Sequence, residues 1–240
     1  MLVREIYDYL NTLSPFVTQE TWDNSGLLLG TMDTEIERIY LSLDIDSDLV
    51  GTLEPHSLVI THHPLIFKGL KQLDFGLYPA NVIQKLIAKN CALIAMHTNF
   101  DISHLNKYVL KNILGYEHIQ CQNHICYFDV NQSFDAFALH VKSAFSLEHL
   151  RVVQAKSFIK RCALTTGSGG DLIREVEADC FLSGDFKYHQ ALEAKENKLS
   201  LMDIGHFESE SYFSVCLGEH LKKLSLKVIM SNSKNPFEYK

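Results

Sequence analysis

The stretch Ser57-Leu58-Val59-Ile60-Thr61-His62-His63-Pro64 decides how this chain folds. Its first five residues form an apolar run that predicts a buried strand. The run ends on two adjacent imidazoles, and a proline fixes the backbone just beyond them. Two other segments end the same way. Cys91–Met96 stops at His97 with Asp101 after it, and Leu201–Ile204 stops at Gly205 and His206 with Glu210 after them. In open α/β sheets, ligand-binding groups collect in the loops at the carboxyl ends of strands. Three such segments therefore predict that these side chains converge on one pocket, with the geometry of a metal site.

Outward from that stretch, strand and helix patterns alternate. Val3, Ile6, Leu10 and Leu13 share one helical face, and Ser14-Pro15 ends the helix. Trp22-Asp23-Asn24-Ser25-Gly26-Leu27 reads as a turn leading into the apolar Leu27–Leu29, closed by Gly30. Ile36–Leu43 is strand-like and Asp46–Leu53 predicts a short helix. A helix from Pro79 to Asn90 has its proline in the first turn, and Ser103–Leu114 predicts a helix capped by Ser103. Gly115–Asn123 is polar and irregular enough to be a boundary. Strands at Ile125–Val130, Arg151–Gln154, Ile159–Thr165, Cys180–Ser183, Leu201–Ile204 and Lys227–Met230 then interleave with helices at Ser133–Phe145, Asp171–Ala178, Tyr188–Asn197 and Glu210–Lys223. This order predicts an α/β fold of two units, residues 1–120 and 121–240, with mixed or mostly parallel sheets. The candidate ligands divide between the halves, which predicts a metal site in the cleft between them.

Composition narrows the class. The 240 residues suffice for one large or two small α/β domains, and 46% hydrophobic with 21% charged residues is ordinary for a soluble globular protein. The balance of 22 basic against 29 acidic residues gives a formal charge of −7, which argues against a nucleic-acid footprint because phosphate contacts need a basic face. A small anionic substrate needs only a few local lysines. Cys91, Cys121, Cys126, Cys162, Cys180 and Cys216 contain no Cys-x-x-Cys pair, and four of them sit in apolar runs. Free thiols in a reducing compartment are expected, and a zinc reading of Cys121 and Cys126 is discounted. The opening MLVREIYDYL carries Arg4, Glu5 and Asp8 where a signal peptide would be apolar, and no run approaches a membrane span. The expected location is cytoplasmic, with no membrane partner.

Imidazole and carboxylate donors suit zinc, iron or manganese, and this set exceeds what one tetrahedral ion needs. Two ions roughly 3.5–4 Å apart would take Asp101 and Glu210 as bridges. His206 and Glu210 are spaced i to i+4, one helical face. Each member alone has a blander reading: a surface or capping His-His, an N-cap at Asp101, or a Glu208 or Glu210 that merely favours a helix N-terminus. Their joint occurrence at three strand ends favours the metal. Glu208 against Glu210 stays open, as does His97 between a ligand and a residue that orients one. Thr166-Gly167-Ser168-Gly169-Gly170 lies between a strand and a helix, so the amides around Gly167 and Gly169 are candidates for holding an anion, with a tight turn the equal alternative. Lys68 and Lys71 follow the His-His-Pro closely, and Gly184-Asp185-Phe186-Lys187-Tyr188-His189 follows another strand, so Asp185 and His189 are candidates for the same cleft. An N-cap at Asp185 weighs equally.

Taken together, Trp22-Asp23-Asn24-Ser25-Gly26-Leu27, Ile60-Thr61-His62-His63-Pro64-Leu65-Ile66-Phe67, His97-Thr98-Asn99-Phe100-Asp101, Thr166–Gly170, Ser183–His189 and Gly205-His206-Phe207-Glu208-Ser209-Glu210 resemble the GTP cyclohydrolase 1 type 2 family, proteins related to a coactivator-interacting factor. The resemblance runs from Trp22 to Glu210. It implies two divalent ions per subunit at His62, His63, Asp101, His206 and Glu210, which selects Glu210 over Glu208. Zinc, iron, manganese and nickel are all compatible with that set. It also implies two related α/β domains, the short form without an inserted middle domain, and a ring-shaped homohexamer with its metal sites facing an internal cavity. The implied reaction is attack of an activated water on C8 of GTP, ring opening and loss of formate to give 7,8-dihydroneopterin triphosphate. His97 or His189 would shuttle the proton, and Lys68, Lys187 or the loop of Gly167 and Gly169 would hold the triphosphate. A phosphoesterase on the same site, an iron- or zinc-handling protein and a regulatory interaction module are the competing readings. The complete ligand set favours the hydrolase and the metal handler over the interaction module.

Overall fold

In the computed structural model, residues 1–231 and 233–238 are described. The strands, in chain order, are β1 (Gly26–Leu29), β2 (Arg38–Ser42), β3 (Ser57–Thr61), β4 (Ala92–Ala95), β5 (Ile119–Gln122), β6 (Ile125–Ser133), β7 (Arg151–Val153), β8 (Phe158–Ser168), β9 (Cys180–Gly184), β10 (Ser200–Asp203) and β11 (Lys227–Met230). They form two mixed sheets with helices, in two α/β units. Unit 1 is Met1–Phe100 with Phe213–Lys240, and unit 2 is Asp101–Tyr212.

The unit 1 sheet has the order β1-β4-β3-β2-β11. Its strands run parallel except β1, which is antiparallel to β4. Every residue of β3 and β4 is buried, which is why both read as unbroken apolar runs: a parallel strand covered on both faces has no solvent side to alternate toward. One face packs Tyr40, Val59 and Leu93 against Val50, Val82 and Leu86. The last two come from helix Ala80–Ala88, and Val50 from helix Ser47–Thr52, whose N-cap Asp46 accepts a hydrogen bond from the Leu49 amide at 2.7 Å. The division differs from residues 1–120 and 121–240 because the chain returns late. Helix Phe213–Leu221 and β11 belong to unit 1, and β11 pairs with β2 through Val228↔Ile39 and its neighbours.

The unit 2 sheet has the order β5-β6-β8-β9-β10-β7. Its β8, β9 and β10 are parallel, while β5, β6 and β7 pair antiparallel. Ala163, Phe181, Leu201, Ile173 and Phe186 fill one side. The segment expected to be an irregular boundary contains β5, an edge strand whose residues are alternately half-buried and exposed. Cys121 and Cys126 stand in register across the β5–β6 hairpin and are joined by a disulfide, so the expectation of six free thiols is corrected. The pairing was hidden because it depends on β5. Cys91, Cys162, Cys180 and Cys216 are free and buried, as expected.

Three helices also differ from expectation. Asp171–Ala178 is a 3-10 turn, Gly170–Glu175, that gives way to extended backbone at the β-branched Val176. Glu210–Lys223 is two helices, His206–Glu210 and Phe213–Leu221. Ser103 is no cap but lies inside a π-helical turn, Asp101–Leu105, because helical structure already starts at Thr98. Among the described residues, no helix is long and apolar enough to cross a membrane.

Candidate metal centre

Unit 1 contributes three imidazoles. Strands β3 and β4 are parallel neighbours, with Thr61 beside Ala95, so their carboxyl ends deliver His62, His63 and His97 side by side. The ring centroids of His62 lie 5.1 Å from those of both His63 and His97, and His63 and His97 are 5.5 Å apart. One ligand atom from each of the three falls within 4.8 Å of the others. Each ring is tethered through Nδ1. His62 Nδ1 donates to the Met96 carbonyl at 2.8 Å, His63 Nδ1 to Asp44 Oδ1 at 2.8 Å, and His97 Nδ1 to Asp23 Oδ1 at 2.8 Å. Carbonyl and carboxylate oxygens only accept, so the proton sits on Nδ1 and the lone pair on Nε2. Metal-binding histidines are oriented in this way.

Asp23 comes from the turn before β1 and its side chain is inaccessible to solvent. Besides His97, it accepts from the Thr98 amide at 3.1 Å, the Thr98 hydroxyl at 2.5 Å, the Asn24 amide at 2.7 Å and the Ser25 hydroxyl at 3.1 Å. Burial alone would raise its pKa. The hydrogen bond and charge of His97, with the Thr98 and Asn24 donors, outweigh burial and hold the carboxyl far below the usual carboxylate range.

Unit 2 contributes the carboxylates and a fourth imidazole. Asp101 opens the π-helical turn, is buried, and accepts from the Thr166 hydroxyl at 3.1 Å. The Thr166 amide is held by Asn106 Oδ1 at 2.8 Å. Turns of this kind recur at functional sites because they rotate one side chain out of the regular helical stagger. His206 and Glu210 occupy one helical turn, with Nε2 and Oε2 3.0 Å apart, and Glu210 is buried. His206 Nδ1 donates to Asp185 Oδ2 at 2.7 Å, the same tether as in unit 1. Gly167, at φ +68°, lies against both: a Cβ there would overlap the Glu210 carboxylate and approach His206 Nε2. Thr166-Gly167 thus joins Asp101 to the His206–Glu210 pair.

The remaining expected residues fare differently. His189 is exposed in the first turn of helix Tyr188–Glu196, its ring 5.2 Å from that of Tyr188. Lys68, Lys71 and Lys187 are exposed. The Gly167 amide donates to Ser209 Oγ at 2.9 Å and the Gly169 amide to Ser183 Oγ at 2.8 Å, so these donors hold serine hydroxyls and no helix follows to add a dipole. What sequence reasoning missed is the layer of carboxylates behind the imidazoles: Asp23, Asp44 and Asp185. Their signal was positional, since Asp44 and Asp185 each follow a strand that neighbours a ligand-bearing one.

Fold and site together define an α/β protein of two units whose histidines and carboxylates could hold a metal ion. The chain belongs to the Duf34/NIF3 (NGG1p interacting factor 3) family, whose model matches residues 1–236. It is 55% identical over 240 residues, all of both chains, to a Campylobacter jejuni protein named GTP cyclohydrolase 1 type 2 homolog. It is 38% identical over 239 residues, 99% of this chain and 98% of the relative, to a Helicobacter pylori protein named GTP cyclohydrolase 1 type 2. Among solved structures, a Staphylococcus aureus hypothetical protein superposes with a TM-score of 0.88 at 27% identity, covering 100% of this chain and 99% of that one. A Bacillus cereus protein related to NIF3 shares the fold, with a TM-score of 0.85 at 18% identity over 100% and 99% of the two chains.

Proposed function

We propose that this chain is a divalent-metal-dependent hydrolase that opens the guanine ring of GTP at C8, releasing formate and 7,8-dihydroneopterin triphosphate. His62, His63, Asp101, His206 and Glu210 hold two ions in this reading. One observation carries it: four imidazoles are each tethered through Nδ1, to Met96, Asp44, Asp23 and Asp185. A histidine kept only for packing needs no such partner in series, whereas a ligand gains orientation and basicity from it. The donor set fits the group, being nitrogen and oxygen without thiolate, which suits zinc, iron, manganese or nickel. The names of the Campylobacter and Helicobacter relatives support the substrate.

When bound, the ions supply Lewis acidity and a water of lowered pKa. The chain's own groups do the rest. His97 moves the proton at Nε2, because Asp23 fixes its tautomer and balances the charge when the ring is protonated. His189 is the weaker candidate, since no carboxylate tether is seen on its ring. Lys68 and Lys187, both exposed, meet the triphosphate. The working assembly is a homohexamer, checked by light scattering.

The test is metal analysis of protein purified without chelator, followed by a product scan over nucleotides. Formate and a fluorescent pterin from GTP are expected, with turnover abolished in His62→Ala and Asp101→Ala while circular dichroism is unchanged. Phosphate release without formate would replace the reading with a phosphoesterase. Readily transferred metal with no turnover above that of free ions would replace it with a metal carrier.

A further inference from the structure

We propose that Trp22 and Phe67 form an aromatic clamp that takes the planar purine base of the substrate beside His97. The inference rests on the nucleotide reading above and adds the part of the site that recognises the base. Large aromatic side chains are usually well buried in a folded chain, yet Trp22 is 56% exposed and Phe67 41%. They are exposed together, with ring centroids 5.8 Å apart and planes tilted by 46°, so the two faces splay instead of stacking on each other. Both present themselves to the same imidazole. Trp22 lies 6.0 Å and Phe67 6.2 Å from the His97 ring, each in an edge arrangement.

The pair is held in place from below. Trp22 comes from the turn before β1 and Phe67 from the loop just past His62-His63-Pro64, and the Asn24 side chain bridges the two segments by donating to the Ile66 carbonyl at 2.6 Å. The turn is fixed in addition by the Ser25 amide on Gln19 Oε1 at 2.6 Å and by the His97 amide on Ser25 Oγ at 3.1 Å. Two exposed rings on an anchored base, next to a tethered imidazole, suit a flat heteroaromatic ligand, because every base offers a π-face to an aromatic side chain. Such stacking puts the ring to be opened against the group that moves the proton.

Trp22 is the only tryptophan in the chain, so its emission reads the clamp directly. Metal-loaded full-length protein is titrated with guanosine, GTP and inorganic tripolyphosphate, following fluorescence excited at the red edge of tryptophan absorption and, in parallel, the heat of binding and pterin formation. Guanosine and GTP are expected to quench Trp22 while tripolyphosphate does not. Phe67→Ala, and Phe67→Ile as the variant that keeps apolar bulk, are expected to weaken guanosine and GTP roughly 5- to 150-fold, the range a single stacked base supplies. Tripolyphosphate affinity and metal content should not change, and Phe67→Tyr should restore binding. GTP that binds and is converted with constant Trp22 emission and an unaltered Phe67→Ala affinity would overturn the clamp and leave the hydrolase standing. Variants that alter only the association state would overturn it in favour of a contact between copies. If no guanine compound binds, both readings fall.

Discussion

Asp23 is a carboxylate without solvent, surrounded by five donors, one of them the imidazole of His97. Asp23→Asn keeps the size but lets an amide N–H face the ring, so the tautomer is no longer enforced. Metal affinity or turnover is expected to fall about 10–100-fold, measured by competition with a chromophoric chelator and by product formation. The carboxyl also links stability to pH. Its folded pKa lies below the unfolded value of about 3.9. Its contribution is therefore complete above about pH 4 and is lost as pH falls toward the folded value. The stability gap between the native chain and Asp23→Asn, read from urea midpoints, should narrow below about pH 4, and a widening gap would refute the assignment. At the other extreme, burial followed by the charge of Glu219 pushes the Cys216 thiol up to about 12. Native protein should leave Cys216 unalkylated at neutral pH, and only unfolding should label it.

Single elements turn on residues whose backbone position is special. Gly167→Ala forces a side chain into αL geometry and onto the Glu210 carboxylate. A loss of metal stoichiometry is expected alongside a destabilisation of about 1 kcal/mol or more. Ser133→Ala is the control: its hydroxyl caps helix Phe134–Ala144 by accepting from the Ala136 amide at 3.3 Å, so it should cost about 1 kcal/mol and leave metal binding intact. Denaturant unfolding with metal analysis separates the two. Elements of this sort show how far sequence carries. Ser57–Thr61 and Lys227–Met230 were legible to the residue, because buried strands announce themselves by composition. So was the His206–Glu210 spacing, since i to i+4 survives any uncertainty about where the helix begins. The β5 edge strand was not, because Gln120 and Gln122 on its exposed face look like loop residues until β6 pairs with them. Nor was the π-helical turn at Asp101, which depends on hydrogen-bond stagger and carries no compositional mark. The tethering carboxylates were invisible for a third reason. Asp23 and His97 lie 74 positions apart, and no local pattern joins them.

For the whole molecule, the decisive nonlocal fact is that residues 213 onward belong with residues 1–100. A cut at residue 120 follows the local rhythm of strands and helices but strands β2 at a sheet edge, since β11 is its neighbour on that side. It also removes Phe213, whose ring sits 5.0 Å from His62 and 5.3 Å from Phe100, both fully buried. Residues 101–212 keep every strand of their sheet and its core. A fragment of residues 101–212 is therefore expected to unfold cooperatively in urea, as a unit with its own core should. A fragment of residues 1–120 should expose apolar surface and bind a hydrophobic dye. Joining residues 213–238 to residues 1–100 through a Gly/Ser linker should restore a cooperative transition, because it returns both the edge strand and the phenylalanine. If residues 1–120 instead fold as tightly as the rejoined chain, β11 and helix Phe213–Leu221 are ornaments on unit 1 and the division of the chain reverts to the one its local pattern suggests.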